Sequence, residues 1–245
     1  MRALLPERAD DVDVHAFYAI DWVERGGVRV NFVSSADGAA QADGKSEGLQ
    51  TEGDNRVFKA LRDLADVVLA GAGTVTIEGY GAVKFPEQRK AIRREYGLRP
   101  TLPIAVVSRS LRLNPESALF TAAPPEARTI VLTCASSSAE RRAALARVAD
   151  VVVCGDDMVD LAQAREELEQ RGLTRILSEG GPTAFSWMLV AGVVDELCLS
   201  VTPRLVGPGP TRIVDDGPVW PPPVPLRLAG LLEEDGALFL RYRTA

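Results

Sequence analysis

Five short strand-like runs constrain this chain more than anything else in it: the apolar Asp66 to Ala70, Pro103 to Val107, Thr129 to Thr133 and Val151 to Val153, and Thr174 to Leu177, which carries Arg175. Each is too short for a helix, and none alternates apolar with polar, which is the pattern of a strand covered on both faces. Helical spacing separates them. Val57, Leu61 and Leu64, with Phe58 and Ala65, form one stripe, and Thr51 with Asp54 three residues later marks its start. A second helix, capped by Ser136 or Ser137, reaches Val148, and a third, residues 158–171, closes at Gly172. Strands alternating with helices specify an α/β protein with a mostly parallel central sheet and helices on both faces. Two alternating strands, Val28 to Val33 and Asp195 to Thr202, flank this series. A hairpin, Leu226 to Leu232 and Ala237 to Tyr242 turning at Asp235-Gly236, adds antiparallel strands at the C-terminal end, after a Pro221-Pro222-Pro223 linker.

At 245 residues the chain suits one domain, residues 28–245, with residues 1–27 a polar leader packing on it around Phe17 to Trp22. The net charge of −6 argues against a nucleic-acid partner, since phosphate backbones want concentrated positive charge. The apolar run Trp187 to Val194 is too short to cross a bilayer, and the leader lacks the apolar core of a signal peptide. Cys134, Cys154 and Cys198 sit apart in apolar runs, as reduced thiols of a cytoplasmic protein do. One histidine, His15, and no close cysteine pair leave no metal site and no Ser-His-Asp hydrolase to build. Residues 79–101 read as an irregular basic flap.

Three of the strands end in turns that suit a ligand: Gly71-Ala72-Gly73-Thr74, Ser108-Arg109 and Glu179-Gly180-Gly181-Pro182-Thr183-Ala184. In open α/β sheets ligands bind at the carboxyl ends of strands. The last turn passes from strand to helix. Its glycines let backbone approach a ligand, and Pro182 suits the first helical position. The free N–H groups of that helix end attract an anion, and Gly192 follows the helix. Two glycine turns and a Ser-Arg pair suit a dinucleotide, but the usual NAD fingerprint is absent. Thr76 stands where a third glycine is needed, and Arg93-Arg94 stand where an acid would hold the ribose. Arg109 with Ser108 better suits a 2′-phosphate.

Val33 to Gly38, Gly44-Lys45-Ser46, Leu61 to Thr74 and Glu179 to Thr183, in this order and spacing, resemble the reductase domain of bacterial riboflavin-biosynthesis deaminase-reductases. Val106 to Arg109 also resembles the Ser-Arg that dihydrofolate reductases place near the 2′-phosphate. The resemblance runs from about Val28 to the C-terminus and implies a three-layer dihydrofolate-reductase-like fold. It implies NADPH as cofactor, a ribosylamino-pyrimidine phosphate as substrate, a homodimer, and a reductase without the deaminase half. Carried over by position, Val33, Gly48, Gly71, Gly73, Thr74, Ser108, Arg109 and Gly180 to Ala184 (Gly180, Gly181, Pro182, Thr183, Ala184) hold NADPH. Ser46, Arg62 and Glu179 face the substrate, and Asp37 and Glu179 are the candidate proton sources. Two departures stand out: Gly48 replaces an aromatic, and Glu78 to Lys84 replaces an Asp-Asp-Pro run ending in arginine. They leave two alternatives beside the first reading, a pterin-type reductase and a non-catalytic NADPH-binding protein of the same fold.

Overall fold

The computed structural model describes residues 1–215, 217 and 223–244; Pro221 and Pro222 of the expected linker lie outside them. Among the described residues ten strands form a single sheet: β1 (Arg2–Leu5), β2 (Gly27–Ser35), β3 (Val67–Gly71), β4 (Ile104–Val107), β5 (Ile130–Thr133), β6 (Asp150–Val153), β7 (Arg175–Ser178), β8 (Glu196–Thr202), β9 (Leu226–Glu234) and β10 (Ala237–Thr244). Their spatial order is β1-β9-β10-β8-β2-β7-β3-β4-β5-β6. From β8 to β6 every neighbouring pair is parallel, while β8, β10, β9 and β1 pair antiparallel. This is the mostly parallel sheet with antiparallel C-terminal strands that the apolar runs and the final hairpin specify.

Among the described residues the helices are α1 (Val14–Ala19), α2 (Trp22–Arg25), α3 (Glu52–Asp63), α4 (Ala72–Ile77), α5 (Glu87–Glu95), α6 (Ala118–Thr121), α7 (Ala139–Ala146), α8 (Leu161–Gln170) and α9 (Pro182–Val190). Two separate cores make three layers. Residues of α1, α2, α3 and α7 bury one face of the sheet, and residues of α8 and α9 bury the other. The start of α3 is as expected, with the Thr51 hydroxyl accepting from the Asp54 amide at 3.1 Å. Helix α7 starts one residue later than expected, on Ser138, whose side chain accepts from the Arg141 amide. At Gly53 there is no room for a side chain: a Cβ would lie 2.6 Å from the Phe239 ring, so α3 begins pressed against β10.

Two segments differ from their sequence reading. The basic stretch after residue 79 contains helix α5, and Arg93 within it is fully buried. The Arg93 guanidinium donates to the carbonyls of Arg62, Asp63 and Ala65 at 2.9, 3.1 and 2.9 Å, closing the C-terminal end of α3. Residues 1–27 supply an edge strand, β1, and the buried rings of Phe17, Tyr18 and Trp22. The Trp22 indole N–H donates to the Leu64 carbonyl at 3.0 Å.

One buried carboxylate ties these N-terminal helices to the sheet. Glu196 on β8 is fully enclosed and accepts from Arg29 of β2 at 2.7 Å and Arg241 of β10 at 3.1 Å. Arg29 also donates to the Tyr18 carbonyl, and Arg241 to those of Phe17 and Ile20. Burial would raise the Glu196 carboxyl, but the two guanidiniums outweigh it and hold the group below its ordinary range. Its contribution is therefore complete above the unfolded-state value and is lost as pH falls through the depressed folded one. Replacing Glu196 with Gln strands two buried cations, so E196Q should cost about 3–5 kcal/mol in urea unfolding at neutral pH. The difference from the parent protein should shrink under acid conditions.

Candidate functional site

The three expected turns meet. Strands β7, β3 and β4 are neighbours, so their carboxyl ends lie side by side at one edge of the sheet. The Gly71 amide donates to the Gly180 carbonyl at 3.0 Å, and the Gly181 amide donates to the Thr74 hydroxyl at 2.8 Å. The Glu179 amide donates to the Leu69 carbonyl at 3.0 Å, so the β7 turn is sewn to β3 on both sides. Gly180 has φ +92°, and a Cβ there would meet the Phe32 ring at 2.9 Å; both requirements call for glycine. The Gly180–Gly181 peptide is cis.

A cleft of about 550 Å³ opens over these turns, within the range of small-molecule sites. Its walls include Val33, Gly71, Gly73, Thr74, Ser108, Arg109 and the whole of Gly180 to Ala184, as expected. Helix α9 starts at Pro182 with Gly181 as its cap and no side-chain cap bond, so the Thr183 and Ala184 amides face outward without an acceptor among the described residues. A Cβ at Gly73 would meet nothing within 4 Å, which leaves backbone open to a ligand there. Ser108 is tied down by accepting from the Leu111 amide at 3.0 Å. Arg109 beside it is exposed and makes no ion pair among the described residues. This end of the cleft fits an elongated anion such as a diphosphate.

The other end is rich in carboxylates. Arg62 grips Glu179 with two bonds, 2.6 and 2.7 Å, and the Tyr80 hydroxyl donates to Glu179 at 2.7 Å. The Arg62 guanidinium also stacks over the rings of Phe58 at 4.4 Å and Tyr80 at 5.6 Å. Burial lowers the Arg62 pKa, but the Glu179 carboxylate more than offsets this and the net shift is upward. Burial and the same carboxylate push the Tyr80 phenol far up. Arg62 is therefore held by Glu179 through its Nε and Nη2 atoms and stands behind the cleft lining. The Ser46 hydroxyl lines the cleft, 3.3 Å from the Glu78 carboxylate.

Three expected site residues lie outside the cleft lining: Arg62 behind Glu179, Asp37 and Gly48. Asp37 does not line the cleft; its carboxylate accepts from the Ser35 hydroxyl at 2.5 Å and from the amides of Gly207 and Val206. The Ser35 bond and those two amides hold it down at about 2, so it stays ionised and staples the loop after β8. Such a group is no proton source near neutral pH. Gly48 also stands off the cleft, with its carbonyl accepting from Arg204 and the Ala42 side chain where a Cβ would go. In its place Gln41 and Gln50 line the wall.

Sequence reading also missed two polar residues of this end, Asn31 on β2 and Asp54 on α3. Asp54 passes for part of a helix cap. Its spacing to Val57 and Leu61 nevertheless puts it in the apolar stripe of α3, and it is 5% exposed. A carboxylate in a buried stripe is the signal that was there to find.

Fold and cleft together define the class, a three-layer α/β protein with a mostly parallel sheet and a cleft at its strand ends. The family model described as the RibD C-terminal domain matches residues 27–234. The chain is 32% identical over 191 residues to the 2,5-diamino-6-ribosylamino-4(3H)-pyrimidinone 5′-phosphate reductase of Methanothermobacter thermautotrophicus, covering 78% of this chain and 83% of that one. With the protein of the same name from Archaeoglobus fulgidus the identity is 31%, over 78% and 86%. The crystal structure of a pyrimidine reductase-like protein from Corynebacterium diphtheriae, 26% identical, superposes with a TM-score of 0.85 over 96% of this chain and 99% of that one. This chain belongs to the RibD C-terminal domain family.

If the Gly180 corner holds the two turns together, G180A forces a Cβ into a left-handed residue and against Phe32. It should cost at least about 1–2 kcal/mol in urea unfolding from the backbone alone. D37A should change neither the affinity nor the stoichiometry of any ligand bound in the cleft, measured by titration calorimetry.

Proposed function

We propose that the chain is an NADPH-dependent reductase of the riboflavin pathway, acting on a ribosylamino-pyrimidine 5′-phosphate as a cytoplasmic homodimer. The observation that carries this reading is the convergence of three strand-end turns on one cleft, in a chain matching the reductases above over most of their length. The amides of Thr183 and Ala184, with Gly73 and the Thr74 segment, suit the diphosphate, and Arg109 suits the 2′-phosphate. If bound there, NADPH would supply the hydride that reduces the imine carbon of the ring-opened ribosylamine, with water supplying the proton to its nitrogen. The chain's own work is to orient the substrate ring, keep it dry, and provide hydrogen bonds that stabilise the correct geometry. Glu179, fixed by Arg62 and Tyr80 with both carboxylate oxygens engaged, serves as a rigid part of the wall that orients the substrate.

One observation favours a second reading, a pterin-like substrate without a phosphate. Arg62 is occupied by Glu179, and Ser46 neighbours Glu78, so this end of the cleft has little to offer a dianion. The pair of substrates that separates the two is the pyrimidine 5′-phosphate and its dephosphorylated nucleoside. Oxidation of NADPH at 340 nm should require the phosphorylated compound; equal rates with the nucleoside support the second reading. No oxidation with either, in a protein that binds NADPH, supports a non-catalytic role.

Arg109→Ala should weaken NADPH binding by about 10- to 100-fold, the value of a charge-assisted bond, and NADH binding little. Nucleotide fluorescence titration reads both constants. Equal losses for the two nucleotides would remove the 2′-phosphate from Arg109.

A further inference from the structure

The cleft is lined by two of the chain's three methionines, and their surroundings differ. Met188 on α9 is 2% exposed, and its sulfur accepts from the Ser178 hydroxyl at 3.5 Å. Met158, in the loop after β6, is 42% exposed. In the sheet β6 lies two strands beyond β4 and four beyond β7, so this loop stands at the Ser108–Arg109 end of the cleft. Val159 and Leu161 continue the wall beside it. The loop is pinned on both sides of Met158. The Ala135 and Ser136 amides donate to the Gly155 and Asp156 carbonyls, both at 2.9 Å, and the Cys134 thiol donates to the Asp157 carbonyl at 3.5 Å. The Gly155 amide donates to the Gln163 side chain at 2.7 Å, and Asp160 caps α8. At Gly155, φ +83°, a Cβ would lie 2.5 Å from the Met158 carbonyl oxygen, so the turn closes tightly on itself.

An exposed thioether reacts with peroxide, and buried thiols compete poorly for it. All three cysteines are buried, and burial pushes the Cys154 and Cys198 thiols up to about 11 and about 12, far from the reactive thiolate.

We propose that Met158 is a peroxide-modified site whose oxidation weakens the nucleotide end of the cleft, and that bound nucleotide shields it. The assignment rests on the reductase reading above. A sulfur lone pair attacks one peroxide oxygen, and an S–O bond forms as the O–O bond breaks. The leaving hydroxide takes the proton of the S–OH group and departs as water; sulfur is oxidised by two electrons and the peroxide reduced by two. The product is a polar, chiral sulfoxide in place of an apolar side chain. On a pinned loop it has nowhere to withdraw, so the base of a nucleotide loses apolar wall and meets a strong dipole instead. The coupling is reciprocal: a nucleotide that prefers the thioether form holds the side chain in that form. Peroxide therefore silences the empty protein and spares the loaded one.

The test exposes the full chain to hydrogen peroxide and follows each methionine by peptide mass spectrometry. Met158 should oxidise at least about tenfold faster than Met188, in line with their exposure. Saturating NADPH, or adenosine 2′,5′-bisphosphate as a probe of this end alone, should slow Met158 oxidation about tenfold. Fluorescence titration should show the oxidised protein binding NADPH about tenfold more weakly, and methionine sulfoxide reductase should restore the constant. The constant of M158L should be the same before and after peroxide. Urea unfolding checks that M158L folds, and enzymatic repair of the sulfoxide carries the test if it does not. An unchanged constant in oxidised protein, no protection by nucleotide, or an equal loss in M158L overturns the assignment and leaves the reductase class standing. Failure of the untreated protein to bind NADPH overturns the reductase reading and this assignment together.

Discussion

Everything at the site depends on two hydrogen bonds between neighbouring turns, Gly71 to Gly180 and Gly181 to Thr74. They exist because β7, late in the chain, enters the sheet between β2 and β3. That insertion puts the loop after β7 next to the loop after β3, with the loop after β4 one strand further on. Each glycine is small enough to let two backbones touch, and each turn leaves other amides facing the cleft. A parallel sheet delivers all its carboxyl ends to one edge, so a ligand spanning several turns needs no long-range reshaping to be met.

The two ends of the cleft differ in charge for a local reason. At the glycine end the field comes from amides and from Arg109, which has no carboxylate partner among the described residues. At the other end each acid has its own surroundings. Glu179 is neutralised and stiffened by a cation sandwiched against two rings, whereas Asp54 sits in an apolar stripe with one hydroxyl for company. The first arrangement fixes a shape, and the second leaves a demand for hydrogen-bond donors.

Local patterns carried much of this. The parallel strands, the hairpin at Asp235-Gly236, the cap at Thr51 and the Pro182 helix start are each encoded within a few residues, and each is in place. What escaped depended on distant partners. Arg93 belongs to a stretch whose composition says solvent, yet its guanidinium is buried by carbonyls at the end of α3. Asp37 looks like a free acid in an Asp-Gly turn, but the amides that claim it come from residues 206 and 207. Arg62 has a ligand's chemistry, but its partner lies 117 residues along the chain. Polar groups reveal their type in sequence and their employment only in space.

The missing side chain at Gly53 has a reach beyond its own position. Because nothing projects there, the first turn of α3 lies flat on the Phe239 ring of β10, and the next residue along is Asp54. How far that acid sinks into the cleft floor is thus regulated by a neighbour that contributes no atoms of its own. A family member with a bulkier residue at this point would lift the helix like a shim and carry the carboxylate away from the cleft. The cleft of such a relative would then change shape with no change to any residue that lines it.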